Sequence, residues 1–343
     1  MNQKRLKVKK HQRSVQLKAL KLRRKRFAWL KSKNRSAIGR NIHQRQFDDV
    51  VKQALHLTVP TNFSIRNHPD EAFMFIARLK NIANHTKTRN VHISLRNCKY
   101  ISNGAIALMI SAIQELNQFG IRVSGNYPDD SRTKKILEKS GFFNFVYGNV
   151  SEENKQTINT IVQQGINVVE PEIIAPLVTQ AMKSVWGAPY RNQRVQSLLI
   201  ELMANSVNHA FKTKKDRRWY LSISHDNDNV SFTFIDNGQG ICKTLNLKFL
   251  DKIKSLYLFS NTEIISAAFD GKFGSRTKER KRGRGLPNVK KCFSENYISN
   301  LVVITNNIYY DFKTNSTRKL KYEFDGTCYY WELNINCISW NNL

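Results

Sequence analysis

A carboxylate and an amide four residues apart form the first pair of side chains that could act together. Glu201 and Asn205 lie in RNQRVQSLLIELMANSVNHAF, whose leucines recur at helical spacing. An i, i+4 spacing places both side chains on one face of a helix. A carboxylate there can polarise an attacking oxygen, and an amide carbonyl oxygen is a hard ligand suited to Mg²⁺. The pair predicts either a catalytic Glu201 beside a metal-binding Asn205 or, more plainly, an exposed polar pair.

A second candidate group follows an alternating strand. The stretch NVSFTFIDNGQGI ends its strand at Asp236, and Gly238 and Gly240 come directly after. A carboxylate at a strand end can accept a hydrogen bond from an exocyclic amine such as that of adenine, while glycines let the backbone turn sharply and approach a ring. A hairpin turn is the alternative interpretation of the same residues.

A third candidate group lies at the start of a predicted helix. Gly283 and Gly285 precede Leu286 in RTKERKRGRGLPNVKKCF. Backbone N–H groups at a helix N-terminus bind phosphate, helped by the helix dipole. Several cations could add positive charge around a triphosphate, or could form a solvated loop: Lys278, Arg280, Lys281, Arg282 and Arg284. The chain contains no GxxxxGK[ST] sequence, which excludes a P-loop ATPase.

In this order and spacing, the three groups resemble the GHKL superfamily of gyrase, chaperone, histidine-kinase and mismatch-repair ATPases (an HATPase_c-type domain). ELMANSVNHA resembles the N box, DNGQG and GRGL the two glycine boxes, and Gly326 with Thr327 in DGTCYYWELNI the closing Gly-Thr turn. The resemblance covers about residues 190 to 335. It implies ATP and Mg²⁺ as cofactors and a mobile ATP lid between Ile241 and Arg284.

The resemblance also implies a role for each matching residue. Glu201 is the general base, Asn205 the Mg²⁺ ligand, and Asp236 the acceptor for adenine. The nucleotide-binding set is Asn205, Asp236, Gly238, Gly240, Gly283, Arg284, Gly285, Leu286 and Thr327. Two departures narrow the class. Lys281 stands where many members have a further glycine, and no phosphoacceptor-histidine helix precedes the N box, which disfavours a two-component histidine kinase.

The preceding segment alternates strands and helices from about residue 60 to 148, as a compact α/β unit does. VHISL and IRVSG are predicted strands, Ser102 or Asn103 caps one helix, and Asp129 or Asp130 opens another. The stretch from VHISLRN to KSGF resembles a STAS domain. In STAS antagonists of anti-sigma kinases a phosphorylated serine occupies the position of Asn103, so the resemblance implies a binding or regulatory module and not a phosphoacceptor.

The fold class predicted is α/β (α+β): a STAS-like α/β domain, then a Bergerat-fold α/β sandwich with helices on one face of a mixed sheet. The predicted domains are a basic tail at 1–47, the STAS-like domain at 48–150 and the ATP-binding domain at 151–343, with 149–168 as a polar connecting segment. Five scattered cysteines without a CxxC pair, and no apolar run long enough to span a bilayer, predict a cytoplasmic protein.

Charge is concentrated at the N-terminus. The chain carries a formal net charge of +30, and residues 1–47 contain 17 Lys and Arg with no Asp or Glu. Such a tail fits nucleic acid, an acidic groove of a protein partner, or anionic lipid.

Three functions remain open from the sequence. The leading hypothesis is an ATP-dependent switch with slow hydrolysis that engages partners through the STAS-like domain and the tail. The others are a protein serine/threonine kinase similar to the anti-sigma kinases, which share the E-x-x-x-N-x-x-x-H-A spacing, and a nucleic-acid-binding scaffold with a degenerate pocket. A homodimer is a further expectation from the resemblance.

Overall fold

The computed structural model describes residues 53–85, 88–147, 160–166, 168–209, 218–226, 228–249, 260–272 and 285–338. The chain divides into two units, Met1–Leu55 and His56–Leu343. Only residues 53–55 of the first unit are described, so the predicted basic tail lies outside the description. The predicted domain boundary near residue 150 lies outside it as well.

The N-terminal part is a small α/β arrangement. Its strands are β1 (Leu55–Thr58), β2 (Asn62–Phe63), β3 (Asn90–Ser94), β4 (Tyr100–Ile101) and β5 (Arg122–Gly125). Its helices are α1 (Pro69–His85), α2 (Asn103–Gln118), α3 (Ser131–Lys139) and α4 (Phe142–Tyr147). One sheet has the order β1-β3-β5, with β3 parallel to β5, and β2 pairs in parallel with β4.

The helix caps predicted from the sequence are confirmed. The hydroxyl of Ser102 accepts a hydrogen bond from the Ala105 amide at 3.2 Å and so begins α2. Asp130, rather than Asp129, caps α3 by accepting from the Thr133 amide at 2.7 Å. Each cap satisfies a backbone donor that the first turn leaves without a partner.

The C-terminal part is a five-stranded sheet with helices. Its strands are β6 (Thr160–Ile166), β7 (Arg218–Asp226), β8 (Asn229–Asp236), β9 (Ser299–Asp311) and β10 (Ser316–Asn334). Its helices are α5 (Pro171–Trp186), α6 (Gln193–His209), α7 (Ile241–Phe249), α8 (Asn261–Phe269) and α9 (Gly285–Ser294). The strand order is β6-β7-β8-β10-β9.

The α/β class is confirmed, but the strand directions differ from expectation. Each pairing in the order β6-β7-β8-β10-β9 is antiparallel rather than mixed, in keeping with the direct β7–β8 and β9–β10 connections, since strands joined by short turns run antiparallel. The helices of this part, α5 to α9, pack on one face as predicted, and α1 and α2 of the N-terminal part cover the other face. The sheet is therefore the middle layer of a sandwich.

The two faces of the sheet bury separate sets of side chains. On β7, Tyr220 packs into the core formed with α1 and α2, whereas Trp219 and Leu221 pack into the core formed with helices from α5 to α9. This alternation follows from the two-residue period of a strand. The approach of α2 is close, because a Cβ added to Gly104 would lie 2.5 Å from the Thr233 hydroxyl oxygen on β8.

The segment at 149–168 is not only a connection, because residues 160–166 form the edge strand β6. Its backbone pairs with β7 from Thr160 opposite Ser224 to Ile166 opposite Arg218. Gly165 leaves room for the Trp219 ring, which occupies the space that a Cβ would need. An edge strand tolerates polar residues, so polarity hid the strand in the sequence.

All five cysteines are free thiols and buried. Among the residues described, no helix combines the length and apolarity needed to cross a bilayer.

Candidate nucleotide site

The first candidate group and the start of α9 meet in space. Gly285, the first residue of α9, lies against the face of α6 that carries Glu201 and Asn205. A Cβ at position 285 would come 2.7 Å from Asn205 Nδ2 and 3.3 Å from Glu201 Oε1. Because Gly285 has no side chain, Glu201 and Asn205 can keep these positions beside the backbone of α9.

The carboxylate of Glu201 is half-buried and held by one neighbour. Asn288 Nδ2 donates a hydrogen bond to Glu201 Oε2 at 3.1 Å. Burial raises the pKa of Glu201, and the hydrogen bond from Asn288 opposes that rise by stabilising the charged form. One oxygen is thus fixed while Oε1 lies on the side of Gly285.

Asn288 was missed by sequence reasoning. It follows Gly285 by three residues on the same helix, so it lies on the same face. That spacing was the available signal.

Asp236 is a buried acceptor at the end of β8. Its side chain accepts from the Gly238 amide at 2.9 Å and from the Thr327 hydroxyl, and Thr327 is its partner residue on β10. Burial raises the pKa of Asp236 to about 6, against the opposing effect of these hydrogen bonds. The group is therefore mainly a charged acceptor at neutral pH, with a hydroxyl beside it. Gly326 adopts a φ of +139°, which a side chain would rarely allow.

The loop that follows Asp236 is fastened to β9. Thr305 Oγ1 accepts from the Ile241 amide at 2.8 Å, and Asn306 Oδ1 accepts from the Cys242 amide at 3.2 Å, so the two side chains satisfy the first donors of α7. Asn306 Nδ2 also donates to the Gln239 carbonyl at 2.8 Å. Gly240, with φ +81°, passes directly over Asn306.

Thr305 and Asn306 were not anticipated. They lie 64 residues from the amides that they bind, and no local pattern marks them.

Part of the predicted nucleotide-binding set falls outside the described residues. Gly283 and Arg284 are the members of the set that lie there, and the neighbouring cations lie outside the description as well: Lys278, Arg280, Lys281 and Arg282. Leu286 is partly buried at the start of α9 and packs against the helical core. The prediction of a phosphate site at the second glycine box therefore stays a prediction.

The range predicted to hold a lid is partly packed. Within Ile241–Arg284, α8 buries Ile265 and Phe269 in the core. A capping box between Ser260 and Glu263 begins that helix. Residues 250–259 and 273–284 of this range lie outside the description, and the lid stays a prediction.

Comparison with known families agrees with this geometry. Residues 191–331 match the family model of histidine kinase-, DNA gyrase B- and HSP90-like ATPases. The match contains Glu201, Asn205, Asp236, Gly285 and Thr327. These residues therefore lie in a region that is similar to the α/β sandwich of GHKL-type ATPases. No curated protein matches the chain. The STAS resemblance of the N-terminal part stays a prediction.

Proposed function

We propose that this protein is a Mg²⁺-dependent ATP switch that hydrolyses ATP slowly. One observation carries the proposal: Gly285 is packed onto the polar face that Glu201 and Asn205 share. An unused polar pair on a helix needs no such glycine, whereas a site built for a phosphate chain needs backbone close to both groups. The exposed-pair interpretation of Glu201 and Asn205 is correspondingly less favoured.

The described residues suit a nucleotide with a hydrated Mg²⁺ ion. Asn205 offers a carbonyl oxygen, and no group of three or more His, Cys, Asp and Glu gathers as a metal cage in the part of the chain described. Mg²⁺ commonly keeps several waters and takes few protein ligands beside substrate phosphates. Bound ATP with Mg²⁺ would supply an activated phosphoryl group and positive charge to stabilise its transfer.

The roles of the protein's own residues follow from their surroundings. Asp236 accepts the hydrogen bond of the adenine amine, with Thr327 beside it. Asn205 holds the metal ion. Glu201 Oε1 orients a water molecule and takes its proton, while Asn288 keeps the other carboxylate oxygen in place. The raised pKa of Glu201 fits a base that must hold a proton.

The switch part of the proposal concerns the N-terminal layer and the tail. Since α1 and α2 cover one face of the sheet whose strands β8 and β10 carry Asp236 and Thr327, a change in the nucleotide site can alter how that layer meets a partner. Residues 1–47, with their 17 cations, suit a polyanionic partner.

The substitution Glu201→Ala separates binding from hydrolysis. Binding of a non-hydrolysable ATP analogue with Mg²⁺, measured by calorimetry, should change less than about threefold, while phosphate release falls by about 10²-fold or more. Glu172→Ala, an exposed carboxylate on α5, is the matched control and should change neither quantity.

Two outcomes would contradict the proposal. Unchanged phosphate release in Glu201→Ala would remove the base role. Label transferred from ATP to a hydroxyl of an added protein would replace hydrolysis with kinase activity.

A further inference from the structure

A buried lysine from the N-terminal layer lies next to the adenine side of the site. Lys80 of α1 is only 7% exposed. Its Nζ atom lies 2.9 Å from Glu115 Oε2 of α2 and donates to the backbone carbonyl of Asp325 at 2.8 Å. It also lies 5.0 Å from the centre of the Phe324 ring. A buried ammonium group is costly unless it is paired, so a lysine here calls for an explanation.

The contact to Asp325 reaches the nucleotide residues through the backbone. Asp325 directly precedes Gly326 and Thr327, and Thr327 pairs with Asp236 across β8 and β10. The Lys80 hydrogen bond thus fixes the irregular stretch of β10 that places the Thr327 hydroxyl beside the Asp236 carboxylate. Helix α2 also contacts the residue that follows β8, because the Ser111 carbonyl of α2 accepts a hydrogen bond from Asn237 Nδ2 at 3.2 Å.

Lys80 also acts on Asp236 by charge. Among the described residues, the other groups that face Asp236 are uncharged at neutral pH: the Gly238 amide and Thr327 hydroxyl, and Cys328 and Tyr329 of β10, whose pKa values burial raises. The positive charge of Lys80 favours the ionised carboxylate and lowers its pKa against the effect of burial.

We propose that Lys80 is a positioning residue of the nucleotide site, which fixes the Asp325–Thr327 stretch of β10 through the Asp325 carbonyl and so keeps the Thr327 hydroxyl beside the Asp236 carboxylate. This inference rests on the proposed ATP binding. It makes the N-terminal helical layer a part of the site. A partner that draws α1 or Glu115 away from the site should weaken ATP binding. By thermodynamic linkage, ATP should weaken the binding of that partner by the same factor.

The test uses the full chain with three substitutions. Lys80→Met removes both charge and hydrogen bond, Lys80→Gln keeps a donor for the Asp325 carbonyl without the charge, and Lys80→Arg keeps both. Lys243→Met is the matched control, since Lys243 pairs with the side chain of the same Asp325 from the exposed side, where an ion pair contributes little.

The first measurement is the Kd of a non-hydrolysable ATP analogue with Mg²⁺ from pH 5.5 to 8. In the wild type, affinity should fall as pH drops through about 6, because Asp236 becomes protonated. In Lys80→Met we expect affinity about tenfold weaker at pH 8 and a midpoint shifted to higher pH. Lys80→Gln should show the shifted midpoint with a smaller loss, and Lys80→Arg and Lys243→Met should resemble the wild type.

A second measurement needs no nucleotide. Lys80→Gln should lower the Tm more at pH 8 than at pH 5, because the ionised Asp236 then lacks its cation. In an Asp236→Asn background this dependence on pH should vanish. Failure of the wild type to bind nucleotide would refute the proposed function. The coupling between Lys80 and Asp236 in the Tm would still show whether Lys80 acts on Asp236.

The inference is overturned if the three Lys80 variants lose affinity equally at all pH values, or if the coupling to Asp236 in the Tm is absent. Either result would reduce Lys80 to a packing residue.

Discussion

Gly285→Ala should damage the nucleotide site while leaving the fold intact. The added methyl group would lie 2.7 Å from Asn205 Nδ2 and 3.2 Å from its Oδ1. Both atoms are the far end of a rotatable side chain, so the clash is relieved when Asn205 turns away. The residue begins α9 without a positive φ, and alanine suits a helix better than glycine by up to about 1 kcal/mol.

The expected size of the effect follows from what the displaced side chain gives up. Loss of one contact between a polar side chain and a charged ligand costs about 1.5–3 kcal/mol. This corresponds to a Kd for the ATP analogue with Mg²⁺ that is about 10- to 100-fold higher. The free energy of unfolding should stay within about 1 kcal/mol of the wild type.

Gly120→Ala is the matched control for this experiment. Gly120 follows α2 with φ +73° and has no atom within 4 Å of an added Cβ. Alanine there should lower the free energy of unfolding by about 1–2 kcal/mol through backbone strain alone, with an unchanged Kd. Calorimetry should therefore show a higher Kd only in Gly285→Ala, and urea unfolding should show the larger loss of stability in Gly120→Ala. Wild-type affinity in Gly285→Ala would refute the proposed approach of the backbone to Asn205.

Two further predictions concern buried carboxylates. Because the folded pKa of Asp236 is raised from 3.8 to about 6, its stabilising contribution is complete below pH 3.8 and is lost as pH rises through 6. The free energy of unfolding of Asp236→Asn should therefore exceed that of the wild type by up to about 3 kcal/mol at pH 8, with no such gain at pH 4. The variant should also bind ATP poorly. A difference in the free energy of unfolding between this variant and the wild type that does not change with pH would contradict the prediction. Arg66→Ala leaves the buried Glu332 with Tyr330 and Asn300 as partners and should cost about 1–2 kcal/mol in urea unfolding, whereas the double variant with Glu332→Gln should recover part of that loss.

Sequence reasoning succeeded where the signal was local. The helix with Glu201 and Asn205 shows a helical period, Asp236 ends an alternating strand, and Ser102 precedes a run of apolar residues at helical spacing. In each case the side chain that matters and the element that holds it lie within one short stretch. Such stretches can be recognised without knowing what packs on them.

The failures concern contacts between distant parts of the chain. Nothing near Gly104 indicates that α2 packs on β8, and nothing near Thr305 indicates that it caps α7. No local pattern distinguishes Lys80 from other lysines, although its partners are Glu115 and a carbonyl 245 residues away. Partner choice between layers depends on shape and pairing that a single sequence does not reveal.

The shared central sheet also sets an order of events during synthesis. Lys80 contacts a carbonyl 245 residues further along the chain, and Phe73 of α1 packs edge-on against Phe324 of β10 with ring centres 5.0 Å apart. At a synthesis rate of about 5–20 residues per second, α1 leaves the ribosome about 10–50 s before the strand that covers it. Through that interval the apolar side of α1 has only α2 and the small sheet to pack on, so the N-terminal layer is completed only when β10 has been made.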